Sequence, residues 1–164
     1  MEITKIFKET VKEGRLIGKR YTNNDRVNGS FGHKWGEFFQ KGWFAELENA
    51  GGKIEFDYIA PMRVNAGIFE YWIGMMFAPD AIVPEGFDYI DIESYESAVF
   101  WICGNPDNGE LYGMNAHNTC TELLKAKGWK IKENGWIIER YNCPRFTQAD
   151  ENGDVILDYY IAVE

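Results

Sequence analysis

Two pairs of segments in this chain of 164 residues can be laid over one another in the same order and at nearly the same offset. Residues 54–61, IEFDYIAP, match residues 137–144, IIERYNCP, at Ile, Tyr and Pro. Residues 70–75, EYWIGM, match residues 158–163, DYYIAV, through Glu with Asp, Tyr with Tyr, Trp with Tyr, Ile with Ile and Gly with Ala. Self-similarity of this kind is the mark of a duplicated structural unit, which constrains the chain to fold twice in the same way.

Hydrophobic periodicity predicts the order strand, helix, strand, strand in each half. In the first half, residues 14–24 read as a strand closed by an Asn-Asn-Asp turn. A helix follows over 31–47, where Trp35, Phe39, Trp43 and Leu47 recur every four positions, weakened at Gly42 and ended by Ala50-Gly51-Gly52. Residues 53–59 alternate strictly, with Ile54, Phe56 and Tyr58 on the inward face, Pro61 stopping the strand; residues 68–77 form the next one. After an acidic stretch, FDYIDIES, the second half repeats the pattern. It has a strand at 97–103, a helix over 112–127 with Tyr112, Ala116, Cys120 and Leu123 on one side, and strands at 136–142 and 155–163. On the last strand Tyr159, Ile161 and Val163 suit packing on a helix, leaving Asp158, Tyr160 and Ala162 on the other face. The expectation is an α+β fold in one domain, 1–164, made of two repeats of about 1–80 and about 95–164. No linker rich in Pro, Ser or Gly separates them, so one antiparallel sheet system with two main helices is expected.

Composition excludes several functions. Twenty-six acidic against 17 basic residues give a formal charge of −9, which argues against a surface that tracks phosphates. The basic residues Lys5, Lys8, Lys12, Arg15, Lys19 and Arg20 alternate with acids and read as a solvated face. No apolar run is long enough to span a membrane, and the opening MEITKIFKETVKEGR carries charges where a signal peptide would be apolar, so a cytoplasmic location is expected. Cys103, Cys120 and Cys143 form no CxxC and read as free thiols. His117 and Cys120 are near in sequence but have no further partners, so neither a metal nor a cofactor is expected. GxSxG, P-loop and GxGxxG motifs are absent. With 6 Trp, 9 Tyr and 11 Phe, some rings are expected to line a site rather than fill a core.

The overlay isolates one residue. Ile137, Glu139 and Tyr141 occupy the face that carries Ile54, Phe56 and Tyr58 in the first repeat, so Glu139 stands where the repeat has a ring. A carboxylate there is paired with a cation, protonated, or held for a ligand. Trp72 and Tyr160 share the opposite faces of the matching strands with small residues, an arrangement suited to caging a cation or a flat apolar molecule.

The duplication, the YESAVFWICGN strand before the second helix, ERYNCPRF and the closing DYYIAVE resemble the GyrI-like effector-binding domains, also called AraC-type or integron-associated effector-binding domains. Ala162 replaces the Pro of the family's ending, and the likeness spans almost the whole chain. The resemblance implies SHS2-like modules related by a pseudo-two-fold axis around a central groove that takes cationic aromatic drugs. It places the family's acidic residue on Glu139 and its closing tyrosine on Tyr160. It also implies either fusion to DNA-binding helices, for which about a dozen residues before the first expected strand leave no room, or a protein that acts alone.

The leading expectation is a stand-alone binder of flat, aromatic, cationic small molecules. Its candidate ligand contacts are Glu139, Tyr141, Tyr160, Trp72, Phe56, Tyr58 and Trp101. The alternative is a hydrolase of strained cyclopropane-bearing xenobiotics, with Glu139 as general acid/base and Tyr141 or Tyr160 as hydrogen-bond donor. A third reading, a protein-docking face along 80–96, rests on acidity alone. Direct nucleic-acid binding and membrane association are not expected, and no protein partner is specified.

Overall fold

In the computed structural model, which describes residues 1–141 and 143–164, the chain runs β1 (Glu2–Val11), β2 (Gly14–Thr22), α1 (Gly32–Gln40), α2 (Trp43–Asn49), β3 (Tyr58–Asn65), β4 (Ile68–Phe77), β5 (Asp88–Ile92), β6 (Tyr95–Gly104), α3 (Met114–Lys127), β7 (Ile137–Tyr141), α4 (Pro144–Thr147) and β8 (Val155–Ala162). Asn142, the last residue of the expected strand over 136–142, lies outside the described residues. The class is α+β with antiparallel strands. No helix among the described residues is long and apolar enough to cross a membrane.

Contacts divide the chain into two compact units, Lys12–Ser94 and Tyr95–Glu164, the latter taking in Met1–Val11. Each contains the expected β-α-β-β order. In the Lys12–Ser94 unit the strands lie in the order β3-β4-β2-β5, and in the other β7-β8-β6-β1. The same arrangement is thus built twice, each time with an extra antiparallel strand beside the first strand of the repeat. Neither extra strand is anticipated from the sequence. β1 falls in the opening segment expected to be a solvated face, yet pairs with β6 along its length and tucks Ile3 and Ile6 against the core. Its lysines do not simply face water, because Lys5 lies 4.5 Å from the Trp101 ring and Lys8 lies 4.9 Å from that of Trp129. β5 falls in the acidic stretch, where Arg15 forks onto Asp91 at 2.7 and 3.0 Å, so part of that acidity is consumed within the fold.

The Tyr95–Glu164 unit packs as its periodicity predicts. Ala116, Cys120 and Leu124, one turn apart, turn the buried stripe of α3 onto Phe100 and Ile102 of β6 and Leu157, Tyr159 and Ile161 of β8. Leu123 packs at the edge of this core rather than within it.

Two expectations fail in the Lys12–Ser94 unit. The single helix over 31–47 is two, because Gly42 adopts a left-handed φ of 70° and restarts the chain as the N-cap of α2. The two pieces press Phe38 and Phe44 together at 4.8 Å. Nothing stands within 4 Å of a β-carbon added at Gly42, so Gly42→Ala is expected to cost only the penalty of a left-handed φ, about 1–2 kcal/mol, in urea unfolding; an unchanged midpoint would mean that the turn relaxes freely.

The strand expected over 53–59 begins instead at Tyr58 and runs through Pro61, which does not stop it. Residues 53–57 make only an isolated bridge, Lys53 with Phe77, and Phe56 is 70% exposed while Ile54 is exposed too. The buried positions are Ile59, Ala60 and Pro61. Alternation in KIEFDYI fits a strand locally, but burial of the contiguous triplet after it decides where the ladder to β4 forms.

Candidate ligand-binding site

Register between β7 and β8 assembles the surroundings of Glu139. Glu139 pairs with Tyr159 and Ile137 with Ile161, so Glu139 lies on the face covered by α3. Ile138 pairs with Tyr160 and Arg140 with Asp158 on the other face. Glu139 is 7% exposed. Its Oε2 accepts a hydrogen bond from the Tyr141 hydroxyl at 2.8 Å. Among the described residues no cation is ion-paired to it. Burial pushes its pKa up to about 7, against the downward pull of the Tyr141 hydrogen bond.

Rings surround this carboxyl. Tyr141 meets Phe146 of α4 edge to face at 5.0 Å and Tyr112 at 6.3 Å. Tyr112, just before α3, has its phenol pushed up to about 12 by burial, with the Glu139 charge adding to the effect. Tyr159 is raised further by burial and again by Glu139, and its hydroxyl sits 3.0 Å from Nδ1 of His117 on α3. His117 itself is lowered by burial, and the Cys120 thiol is pushed up to about 12. Around neutral pH the site therefore holds one titrating carboxyl among neutral polar and aromatic groups. Tyr112, Tyr141 and Phe146 are only half-buried. Among the described residues, no three His, Cys, Asp or Glu side chains gather into a metal site.

Of the expected contacts, Glu139 and Tyr141 come together. Tyr160 is buried on the opposite face of β8, with the Arg140 guanidinium 5.1 Å from its ring. Trp101 shares that opposite face, paired with Asp158 and flanked at 4.5 Å by Lys5 and by Arg145, which forks onto Asp158 at 3.1 and 2.5 Å. In the Lys12–Ser94 unit, Tyr58 stacks on Phe44 at 3.8 Å and gives its hydroxyl to Glu48, so it belongs to the packing of α2. Phe56 stands in solvent. Trp72 is buried on the face of β4 opposite α1. Tyr112, Phe146, His117 and Tyr159 escaped the sequence reading as site residues. The signal for Tyr159 was available, since an antiparallel β7–β8 pair places a core residue of the last strand opposite Glu139.

The repeat also places Glu139 differently. With the EYWIGM and DYYIAV strands superposed, Tyr71 matches Tyr159; their partners are Met62 and Glu139. Met62, not Phe56, is the counterpart of the carboxylate. The same superposition matches Arg63 with Arg140 and Glu70 with Asp158, both acids buried and both held by arginine, Glu70 by Arg20 at 2.7 Å and Arg63 at 2.5 Å. It further matches the hydroxyls that reach their helices, Tyr71 taking a bond from Trp35 Nε1 at 2.9 Å where Tyr159 meets His117. In the first repeat Phe31 stacks on Tyr71 at 4.1 Å. One repeat has filled the position with apolar packing, and the other keeps an acid there.

Solved structures share this architecture. SAV2435 bound to tetraphenylphosphonium superposes with a TM-score of 0.73 at 14% identity, over 98% of this chain and 94% of that one. A second protein, from Staphylococcus aureus MU50, gives 0.69 at 16%, over 98% of both chains. The C-terminal domain of EcmrR gives 0.65 at 12%, over 98% and 97%. The chain has the GyrI-like fold. No protein-family model and no curated protein matches the sequence.

Proposed function

We propose that this GyrI-like chain binds flat, aromatic, cationic small molecules, with Glu139 as the charge anchor. The observation that carries the reading is a carboxyl buried among rings that, among the described residues, is paired with no cation and takes its side-chain hydrogen bond from Tyr141. Such a group lacks the compensation that Glu70 and Asp158 receive from their arginines. A ligand cation supplies it, and Tyr112, Tyr141 and Phe146 offer faces for the ligand's rings at about 0.5–2 kcal/mol per cation-π contact. The tetraphenylphosphonium held by SAV2435 is an aromatic cation, tetrahedral rather than flat, and so shares the charge and rings of this class but not its shape.

Calorimetric titration with tetraphenylphosphonium and with neutral triphenylphosphine oxide at about pH 8 tests the reading. The cation is expected to bind at least about tenfold more tightly, a difference of about 1.4 kcal/mol, and Glu139→Gln is expected to erase that preference. Equal affinities in the wild-type protein would rule Glu139 out as the anchor. The hydrolytic alternative draws on the same carboxyl, protonated near neutrality and bonded by Tyr141. It would require turnover of a cyclopropane-bearing aromatic beyond one equivalent, read by mass; stoichiometric protection supports binding instead.

A further inference from the structure

Within the Tyr95–Glu164 unit and its opening segment, β1 is the outermost strand of the order β7-β8-β6-β1, and among the described residues no strand pairs with its other side. Such an edge presents a row of unpaired N–H and C=O groups, a template for a further strand unless something blunts it. β1 is ten residues long, with Lys5, Lys8, Glu9 and Thr10 exposed. Lysines commonly guard an edge of this kind, but here Lys5 is drawn over Phe7 and Trp101, and Lys8 over Trp129. Neither Lys5 nor Glu9 is ion-paired among the described residues. A register shift between Ile3 and Lys5 breaks the ladder to β6, and the pairing then runs unbroken over residues 5–11. In that stretch Lys5 and Phe7 both meet Trp101, at 4.5 and 6.3 Å, with Glu9 next on their face, while Ile6 packs on the α3 core with Lys8 next on its own.

We propose that β1 is a self-association edge, on which a second copy of this chain lays its own β1 antiparallel to form a two-fold dimer centred on Phe7. The charge pattern carries both the choice of partner and the register. A two-fold axis that continues the sheet keeps its faces continuous, so it must pass beside a residue rather than between two. Centred on Lys5, Lys8 or Glu9, the axis would set a charge against its own copy, and centred on Ile6 it opposes no unlike charges. Centred on Phe7, it sets Lys5 of each copy opposite Glu9 of the other, and Phe7 opposite Phe7. Lys8 then stands opposite Ile6, over which its methylene stem can lie. The strand is thus complementary to its own reverse. This interface is independent of Glu139 and of any ligand.

Sedimentation velocity of the chain from about 5 to about 500 μM tests the edge. A ladder this short buries less than the roughly 1,200 Å² of a stable interface, so a reversible monomer–dimer equilibrium with a Kd of about 10–100 μM is expected. Lys5→Glu or Glu9→Lys alone sets like charges opposite each other at two places, and each is expected to weaken the dimer at least about tenfold. An equimolar mixture of the two variants is expected to associate about as well as the wild type, because the acids of one strand then face the bases of the other. A wild-type chain that stays monomeric across the range would overturn the proposal. So would a mass that climbs past the dimer, since an edge paired with its own copy closes at two. A dimer indifferent to both reversals would overturn it as well, and so would a mixture that stays monomeric. If either single variant fails to fold, the wild-type series and the double reversal Lys5→Glu/Glu9→Lys, which restores both pairs and is expected to dimerise, decide the matter.

Discussion

Affinity for tetraphenylphosphonium is expected to rise about thirtyfold from about pH 5.5 to about pH 8.5, then level off. The free protein must give up the Glu139 proton before a permanent cation can be neutralised there, and burial holds that proton up to about pH 7. Below this value each unit of pH changes the competent fraction about tenfold; above it the carboxylate is already formed. The facing groups do not reverse the trend. Tyr112 and Cys120 titrate near 12, Tyr159 is raised, and His117 is lowered, so a charge gained by His117 in acid would also repel the cation. Calorimetry in two buffers of different ionisation enthalpy near pH 7 should count about half a proton released per cation bound. Glu139→Gln should show neither the slope nor the release. A flat profile in the wild-type protein would mean that the carboxylate is ionised before the ligand arrives.

Removing the same charge should stabilise the empty protein. The folded-state pKa of Glu139, about 7, stands above the ordinary 4.5, so the native state holds a proton that the unfolded chain releases across this window. Native stability therefore falls as pH rises from about 4.5 to about 7 and stays low above it, by about 3 kcal/mol in all. Glu139→Gln keeps the shape without the charge. At pH 8 it is expected to melt about 6–12 °C above the wild type, and the gap should nearly close at pH 4.5. The same gain at both values would assign the effect to packing. Tetraphenylphosphonium at pH 8 should raise the wild-type melting temperature and leave the variant nearly unmoved.

These expectations rest on a residue visible in the sequence for a reason that proved only half right. Glu139 stood out because it faced Phe56 in an overlay of two short motifs, but the registers match it with Met62. The second overlay, of EYWIGM on DYYIAV, holds in the structure: its buried acids, Glu70 and Asp158, are both bound by arginine. The rest of the site was harder to read. Tyr159 looked like core because it is core, and only its pairing with Glu139 makes it a neighbour of the carboxyl. Tyr160 and Trp72 lie on the face opposite the helices, as the alternation of their strands requires, and Trp101 joins them there, so that Glu139 on the helix-covered face is separated from all three.

The chain's own pattern of apolar residues determined the duplication, the strands at Ile68–Phe77 and Val155–Ala162, the packed stripe of α3 and the presence of an acid on β7, because each depends on periodicity within a few turns or one strand. Tertiary structure alone decided that the charged opening becomes a strand against β6, that Phe56 is left in solvent while Ile59 is buried, and that Gly42 divides a helix. It also decided which face Glu139 shares, and with which rings. Those outcomes depend on pairing between residues far apart in sequence, and a shift of one residue in that pairing would send every side chain of a strand to the other side.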